Sequence, residues 1–221
     1  MPILTQLGLP GEEKLWAALG FDVEDRRLQI GDVACVVGMQ PSWGFDELRG
    51  DASALGIPEL VNEGATGSDD RVDQLLEHLS DPSSTGLPSA ESLSGATHPN
   101  GVTFVDHIVY TVTDLDEAVA ALADTLGTAP RRRFQPRGPS GPEMAFYRVG
   151  EAFIEVVATG QAPALIGIAF GTPDLDATVA AVRAAGGPIS DPKPAVQGGR
   201  IASVWTGHVG WGIAFMEPKP R

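Results

Sequence analysis

Two Asp-Leu-Asp triplets, at 114–116 and 174–176, mark matching points of a repeated segment; seven residues ahead of them stand His107 in one copy and Gly167 in the other. An imidazole can ligate a metal, carry a proton near neutral pH or anchor a polar ligand, and a glycine side chain can do none of these. A second asymmetry appears at the end of each copy, where aligning IEVVA with IAFME sets Glu155 against Ala214. One half of the repeat therefore keeps an imidazole and a carboxylate, and the other half keeps neither. The pair suits proton transfer, ligand orientation or ligation. It equally suits a plain hydrogen bond between two buried polar groups, with no ligand at all.

The elements that would carry these residues are legible from periodicity. VDHIVYTV from Val105 and IGIAFGT from Ile166 read as strands, and each runs into a helix whose first turn is capped by an Asp of the triplet. Leu115, Val119, Leu122 and Leu126 fall on one face of the first helix, and Leu175, Val179 and Val182 on one face of the second. Gly127 and Gly186-Gly187 end them. Three further strands follow each helix, at 131–134, 144–149 and 152–157, then at 188–189, 200–205 and 212–216. The order strand, helix, three strands thus occurs twice.

Strand alternation assigns faces. If His107 points inward, so do Val109, Thr111, Phe153, Glu155, Val157, Gly167, Ala169, Ala214 and Met216. Ile108, Tyr110, Ile154, Val156, Ile168, Phe170, Ile213 and Phe215 then meet the helices. Arg148 and Arg200 are candidates to clamp an anionic group through paired guanidinium donors, with the run 131–133 as a third basic feature. A solvated, ion-paired strand face explains the same arginines.

Upstream, residues 12–21 carry Leu15, Trp16 and Leu19 on one helical face, ahead of a hairpin-like RRLQIGDVACVV turning at Gly31-Asp32. Residues 69–79 read as a further helix, and 81–101, DPSSTGLPSAESLSGATHPNG, as a linker. The domain reading is a degenerate amino-terminal module over 1–80, a Pro/Ser/Gly-rich linker over 81–103, a first module over 104–160 and a second over 161–221. The amino-terminal module packs on the other two within the chain or meets its equivalent across a homodimer.

The stretches DHIVYTVTDLDEAV at 106, GEAFIEVVA at 150, GIAFGTPDLDATV at 167 and GIAFMEP at 212 resemble the vicinal oxygen chelate superfamily of glyoxalases, bleomycin-resistance proteins and extradiol dioxygenases. The resemblance implies an α+β fold of paired βαβββ modules whose sheets form a cup. It also implies that a divalent metal can be held by residues on the first and last strand of each module. In this sequence those positions are His107, Glu155, Gly167 and Ala214, so only two of them carry donors. His208, in the turn GHVGWG, is a third ligand only if that loop folds inward.

Composition narrows the field. The chain has 221 residues, is 43% hydrophobic and carries a formal charge of −14, which repels phosphate backbones and argues against nucleic acid. No run reaches the ~18 apolar residues of a membrane span, and the first ten residues lack a basic, then apolar, leader pattern. The single cysteine, Cys35, cannot form an intrachain disulfide, which fits a reducing, cytoplasmic setting.

Three readings remain open. In the first, a glyoxalase-like protein binds a small organic molecule in an apolar cavity without a tightly held metal, using His107, Glu155, Val109, Phe153, Arg148, Arg200 and Met216. In the second, it is a metal-dependent lyase or dioxygenase of glyoxalase type, with a divalent ion on His107, Glu155 and His208. In the third, it is an interaction protein with a vestigial pocket. A stable catalytic site takes about three protein ligands. Elemental analysis after dialysis against a mild chelator should therefore find far less than one transition metal per chain; near-stoichiometric metal lost in His107→Ala would favour the second reading. Gly167→His with Ala214→Glu is expected to create metal affinity by restoring all four donors.

Overall fold

The computed structural model describes residues 1–60, 98–136, 138, 141–196 and 198–219. The expected helix at 69–79 and most of the linker lie outside these residues.

The second half of the chain builds β5 (Phe104–Val112), α2 (Leu115–Leu126), β6 (Arg132–Phe134), β7 (Met144–Val149) and β8 (Ala152–Ala158). It then repeats the pattern as β9 (Ala164–Gly171), α3 (Leu175–Ala184), β10 (Lys193–Pro194), β11 (Arg200–Ser203) and β12 (Gly212–Glu217). In each unit the last strand returns parallel to the first, and the two middle strands continue outward antiparallel. The two first strands, β5 and β9, pair antiparallel and join the units into one sheet of order β10-β11-β12-β9-β5-β8-β7-β6. The tenth strand differs from expectation. Ile189 makes only an isolated bridge to Val204, and the edge strand sits at Lys193–Pro194 instead. Pro194 has no N–H to donate, which an edge position tolerates and which blunts the edge against further pairing.

The helices begin as their sequences dictate. Asp114 accepts from the Glu117 amide at 2.9 Å, and Asp174 from the Ala177 amide at 3.0 Å. Their apolar stripes bury Leu115, Leu122 and Leu126 in α2, and Leu175, Val179 and Val182 in α3. Beneath them the helix-bearing face of the sheet is the core: Ile108, Tyr110, Ile154, Val156, Ile168, Phe170, Ile213 and Phe215 are all buried.

The first sixty residues form β1 (Ile3–Leu9), α1 (Glu13–Ala17), β2 (Arg27–Ile30), β3 (Val33–Val37), β4 (Ser42–Asp46) and a 3-10 turn at Ala52–Leu55. The hairpin β2–β3 turns at Gly31, whose φ of 56° suits a residue without Cβ. The sheet order is β2-β3-β1-β4, so this unit departs from a full βαβββ module. β3 takes the parallel place beside β1, and β4 crosses to the other edge of β1 and pairs antiparallel, as β9 does on β5. The edge of β1 that would otherwise expose its amides is thereby covered.

This unit lies on the helix-bearing face. The Trp43 ring stands 5.2 Å from Tyr110, Trp16 6.2 Å from Phe170 and Phe21 6.0 Å from Phe215. The Tyr110 hydroxyl donates to the Leu55 carbonyl at 2.7 Å. The amides of Arg49 and Gly50 donate to Thr125 at the end of α2, and a Cβ on Gly187, just after α3, would come within 2.5 Å of the Ala18 carbonyl. The unit therefore reaches both helices and closes the core between them. No described helix is long and apolar enough to cross a membrane.

The HPNG turn is a structural fastener. Asn100 is buried, donating to the Leu19 carbonyl at 3.0 Å and accepting from the Val102 amide at 3.0 Å. His98, also buried, accepts from the Asp22 amide through Nδ1 at 3.1 Å and donates through Nε2 to the Gln29 carbonyl at 2.8 Å. Both ring nitrogens are used in the neutral form. Burial pushes the His98 pKa down, against smaller upward effects of the Gln29 bond and the Asp22 charge. In the unfolded chain the ring takes up its proton first, so stability is present above the ordinary value near 6.5 and is lost as pH falls through the lower, folded value. Urea titrations at several pH values should show wild type losing stability in that window relative to His98→Gln; parallel profiles would disprove the linkage.

Candidate functional site

On the helix-free face the strand registers set out a lattice of side chains. Across β9, β5, β8 and β7 one row reads Ala169, His107, Phe153, Arg148. The next reads Gly167, Val109, Glu155, Phe146, Arg132, and a third reads Thr111, Val157, Met144, Phe134. In the second unit Gly212 stands beside Gly167 and Ala214 beside Ala169. This repeats the offsets of Phe153 from His107 and Glu155 from Val109. The two halves superpose position by position, with side chains in one and little but backbone in the other.

His107 lies at the centre. Its Nδ1 stands 2.6 Å from the Asp106 carboxylate, and its Nε2 3.5 Å from Glu155. The side chains of His107 and Glu155 are 16% and 15% exposed, enough to meet a ligand without being washed by solvent. Burial pushes the Glu155 carboxyl above its ordinary value; His107 opposes the shift and Asp106 adds to it. Beside these groups Met144, Phe146 and Val157 form a second, smaller apolar cluster with Val109, Phe134 and Phe153 against it. Phe134 and Phe146 stack at 5.7 Å. The Arg132 guanidinium covers Phe134 at 3.9 Å, and that of Arg148 covers Phe153 at 4.8 Å while its Nε donates to the Gly150 carbonyl. The face thus offers a polar centre, an aromatic flank and two cations at its outer rim.

Of the residues singled out from sequence, the structure brings His107, Glu155, Val109, Phe153 and Arg148 together on the first half of this face, and places Met216 on the second half. Two others lie elsewhere. Arg200 is bound on the helix side, by Glu217 at 2.7 Å and Asp176 at 2.9 Å, because its position alternates with Ile201 and its partners lie at the start of α3, where Glu217 accepts from the Leu175 amide and Asp176 stands in the first turn. His208 turns to the amino-terminal unit, where its Nε2 meets the Leu15 carbonyl at 2.9 Å. It therefore does not join His107 and Glu155.

The contribution of Asp106 was masked in sequence by the alternation rule, which sends it to the face opposite His107. The register of β5 on β9 shifts by one residue between Val105 and His107, so Asp106 is a bulge residue and both neighbours share a face. The same shift moves Val105 into the core. Phe134, Phe146 and Met144 were legible as strand residues, but their shared face appears only once β6, β7 and β8 are in register.

A four-donor metal site does not fit these residues. Two of the four first- and last-strand positions lack donors, and among the described residues no group of three or more His, Cys, Asp or Glu could hold an ion. Nor can the vacant half be refilled as the sequence suggested. A Cβ on Gly167 would lie 2.8 Å from the Gly212 carbonyl, so the strands have closed over the position.

Paired βαβββ units joined in one continuous sheet are the arrangement of the vicinal oxygen chelate fold. Residues 106–203 match the family model of the Glyoxalase/Bleomycin resistance protein/Dioxygenase superfamily. Among solved structures, the chain is similar to methylmalonyl-CoA epimerase from Mycobacterium tuberculosis, at 24% identity and a TM-score of 0.47 over 54% of this chain and 91% of that one. It is also similar to a hypothetical protein from Bacillus halodurans C-125, at 20% identity and a TM-score of 0.46 over 53% and 95% of the two chains. A third is Streptomyces coelicolor methylmalonyl-CoA epimerase in complex with 2-nitronate-propionyl-CoA, at 19% identity and 0.45 over 54% and 99%. No curated protein matches the sequence significantly.

The close approach at Gly167 gives a direct test. Gly167→His should cost about 1–3 kcal/mol, the usual cost of overpacking, and add no metal affinity. Ala214→Glu, at a half-buried position on the helix-free face, should be tolerated. Urea unfolding with a zinc titration checks both, and stoichiometric zinc binding by the double variant would show that the strands can part.

Proposed function

We infer that the helix-free face binds a small organic molecule, and does so without a tightly held metal. The observation that carries this reading is the juxtaposition, on one half of the face, of the Asp106–His107–Glu155 centre with the Met144–Phe146–Val157 cluster. Apolar walls with a few convergent polar groups are the usual make-up of a ligand site. The second half is floored by Gly167, Ala169, Gly212 and Ala214, and so sets a smooth surface of small residues beside the polar centre. The superfamily match fits a binding or catalytic protein of glyoxalase-like type and does not choose between them.

In this arrangement the aromatic flank supplies contact area, while His107 and Glu155 orient a polar group. Burial pushes the Glu155 carboxyl above its ordinary value, and its oxygens accept a hydrogen bond from the ligand. Proton transfer between Glu155, His107 and a bound molecule is the chemistry available to these residues, and it needs no metal. The arginines at the rim, already stacked on Phe134 and Phe153, favour ligands whose far end is anionic or aromatic.

A thermal-shift panel of small phenols, naphthols and benzoates tests the reading. A compound at ten times its Kd should stabilise the protein by about 1.4 kcal/mol. That corresponds to a rise in Tm of roughly 3–6 °C for a chain of this size. Val109→Arg, which fills the floor beside Glu155, should abolish the rise. Shifts that survive Val109→Arg would place binding elsewhere, and a panel with no shifts would favour an interaction protein with a vestigial pocket.

A further inference from the structure

The contact between Asp106 and His107 goes beyond what a simple pocket requires. Alternation would put the two side chains on opposite faces, and the one-residue bulge at Asp106 turns both to the same side. Such bulges recur in the other first strands. The register of β1 on β4 shifts between Leu4 and Gln6, and that of β9 on β5 between Leu165 and Gly167, at Ile166. The bulge is therefore a property of these first strands. The acid and imidazole pairing is a property of β5 alone, since the matching residues in β9 are Ile166 and Gly167.

The chemistry of the pair is directional. A carboxylate only accepts, so at 2.6 Å from Asp106 the proton lies on Nδ1 of His107. In the neutral ring Nε2 is then bare. Its nearest described polar neighbour, Glu155, is 3.5 Å away, too long for a good hydrogen bond and well placed to flank a third group.

We propose that Asp106 is a positioning residue that holds His107 as its Nδ1–H tautomer, so that Nε2 meets the ligand as an acceptor, and that the ligand presents a hydroxyl or comparably acidic proton there. The ligand class rests on the reading of the helix-free face as a binding site; the tautomer does not. His98 supplies an internal standard, because its contacts demand the opposite tautomer, with the proton on Nε2.

Imidazole nitrogen NMR of the full chain decides the first part, with His107→Gln to assign the signal. Wild type should show His107 protonated on Nδ1 and His98 on Nε2. In Asp106→Ala, His107 should switch to the Nε2–H form that free imidazole side chains prefer, and Asp106→Asn should restore the Nδ1–H form because its amide oxygen still accepts. An Nε2–H signal for His107 in wild type, or no change in Asp106→Ala, overturns the role of Asp106. The wild-type spectrum alone suffices if the variant does not fold.

Calorimetry with 2-naphthol and 2-methoxynaphthalene, identical in ring and different in donor, decides the second part. Wild type should prefer the naphthol by about tenfold or more, and Asp106→Ala should erase most of that preference. Equal affinities in wild type overturn the ligand class while leaving the binding site intact. Failure of both probes to bind removes the ligand class together with the reading beneath it, and leaves the tautomer result standing.

Discussion

The antiparallel pairing of β5 with β9 is the constraint on which the rest of the structure depends. It joins two four-stranded units into one sheet, and it does so through two bulges that compensate each other, one at Asp106 and one at Ile166. Each bulge adds a residue to its own strand, so the register lost between Val105 and His107 is recovered between Val109 and Tyr110. Between the bulges His107 faces Ala169 and Val109 faces Gly167, which brings the polar centre of one unit against the bare backbone of the other. Were either bulge removed, every residue beyond it would change face.

The other face of the same sheet explains the amino-terminal unit. Two helices cover the flanks of the core, but Tyr110 and Phe170 sit on the central strands, away from both. Trp43, Trp16 and Phe21 close over these residues, and the buried turn at His98 and Asn100 ties the approaching chain to α1 and β2. β4 completes the arrangement by covering β1 as β9 covers β5, which lets half a module do the work of a sheet edge. Trp16, Phe21 and Trp43 are thereby committed to the core and not to a ligand.

Much of this was legible in the sequence, for reasons that differ by element. The helices could be placed because an Asp cap, an apolar stripe and a terminal glycine agree with one another at 114–127 and 174–187. The core face could be placed because Ile108, Ile168 and Ile213 alternate with smaller or polar residues, and Ile154 stands next to the polar Glu155. Asp106 was missed because a bulge breaks the two-residue period without any mark in composition, and Arg200 was misplaced because a short strand offers few residues from which to judge its face. The strand at 188–189 failed for a related reason: two residues carry no periodicity, and the pairing that decides between them and Lys193–Pro194 is tertiary.

The vacant half of the face is more than a loss of ligands. Had His and Glu simply been replaced by small residues in an unchanged backbone, the positions would still accept side chains. In this backbone a Cβ on Gly167 would lie 2.8 Å from the Gly212 carbonyl, so the close packing of β9 on β12 favours glycine at the position that matches His107. The imidazole of His107 has a carboxylate partner on Nδ1, which fixes its ring from the protein side and leaves Nε2 without a partner on that side. A ligating imidazole in a metal site also leans on a carboxylate or carbonyl through its other nitrogen, so the Asp106 contact fixes the His107 ring from behind whatever meets Nε2, and the bulge at Asp106 is the feature of the backbone that makes this possible.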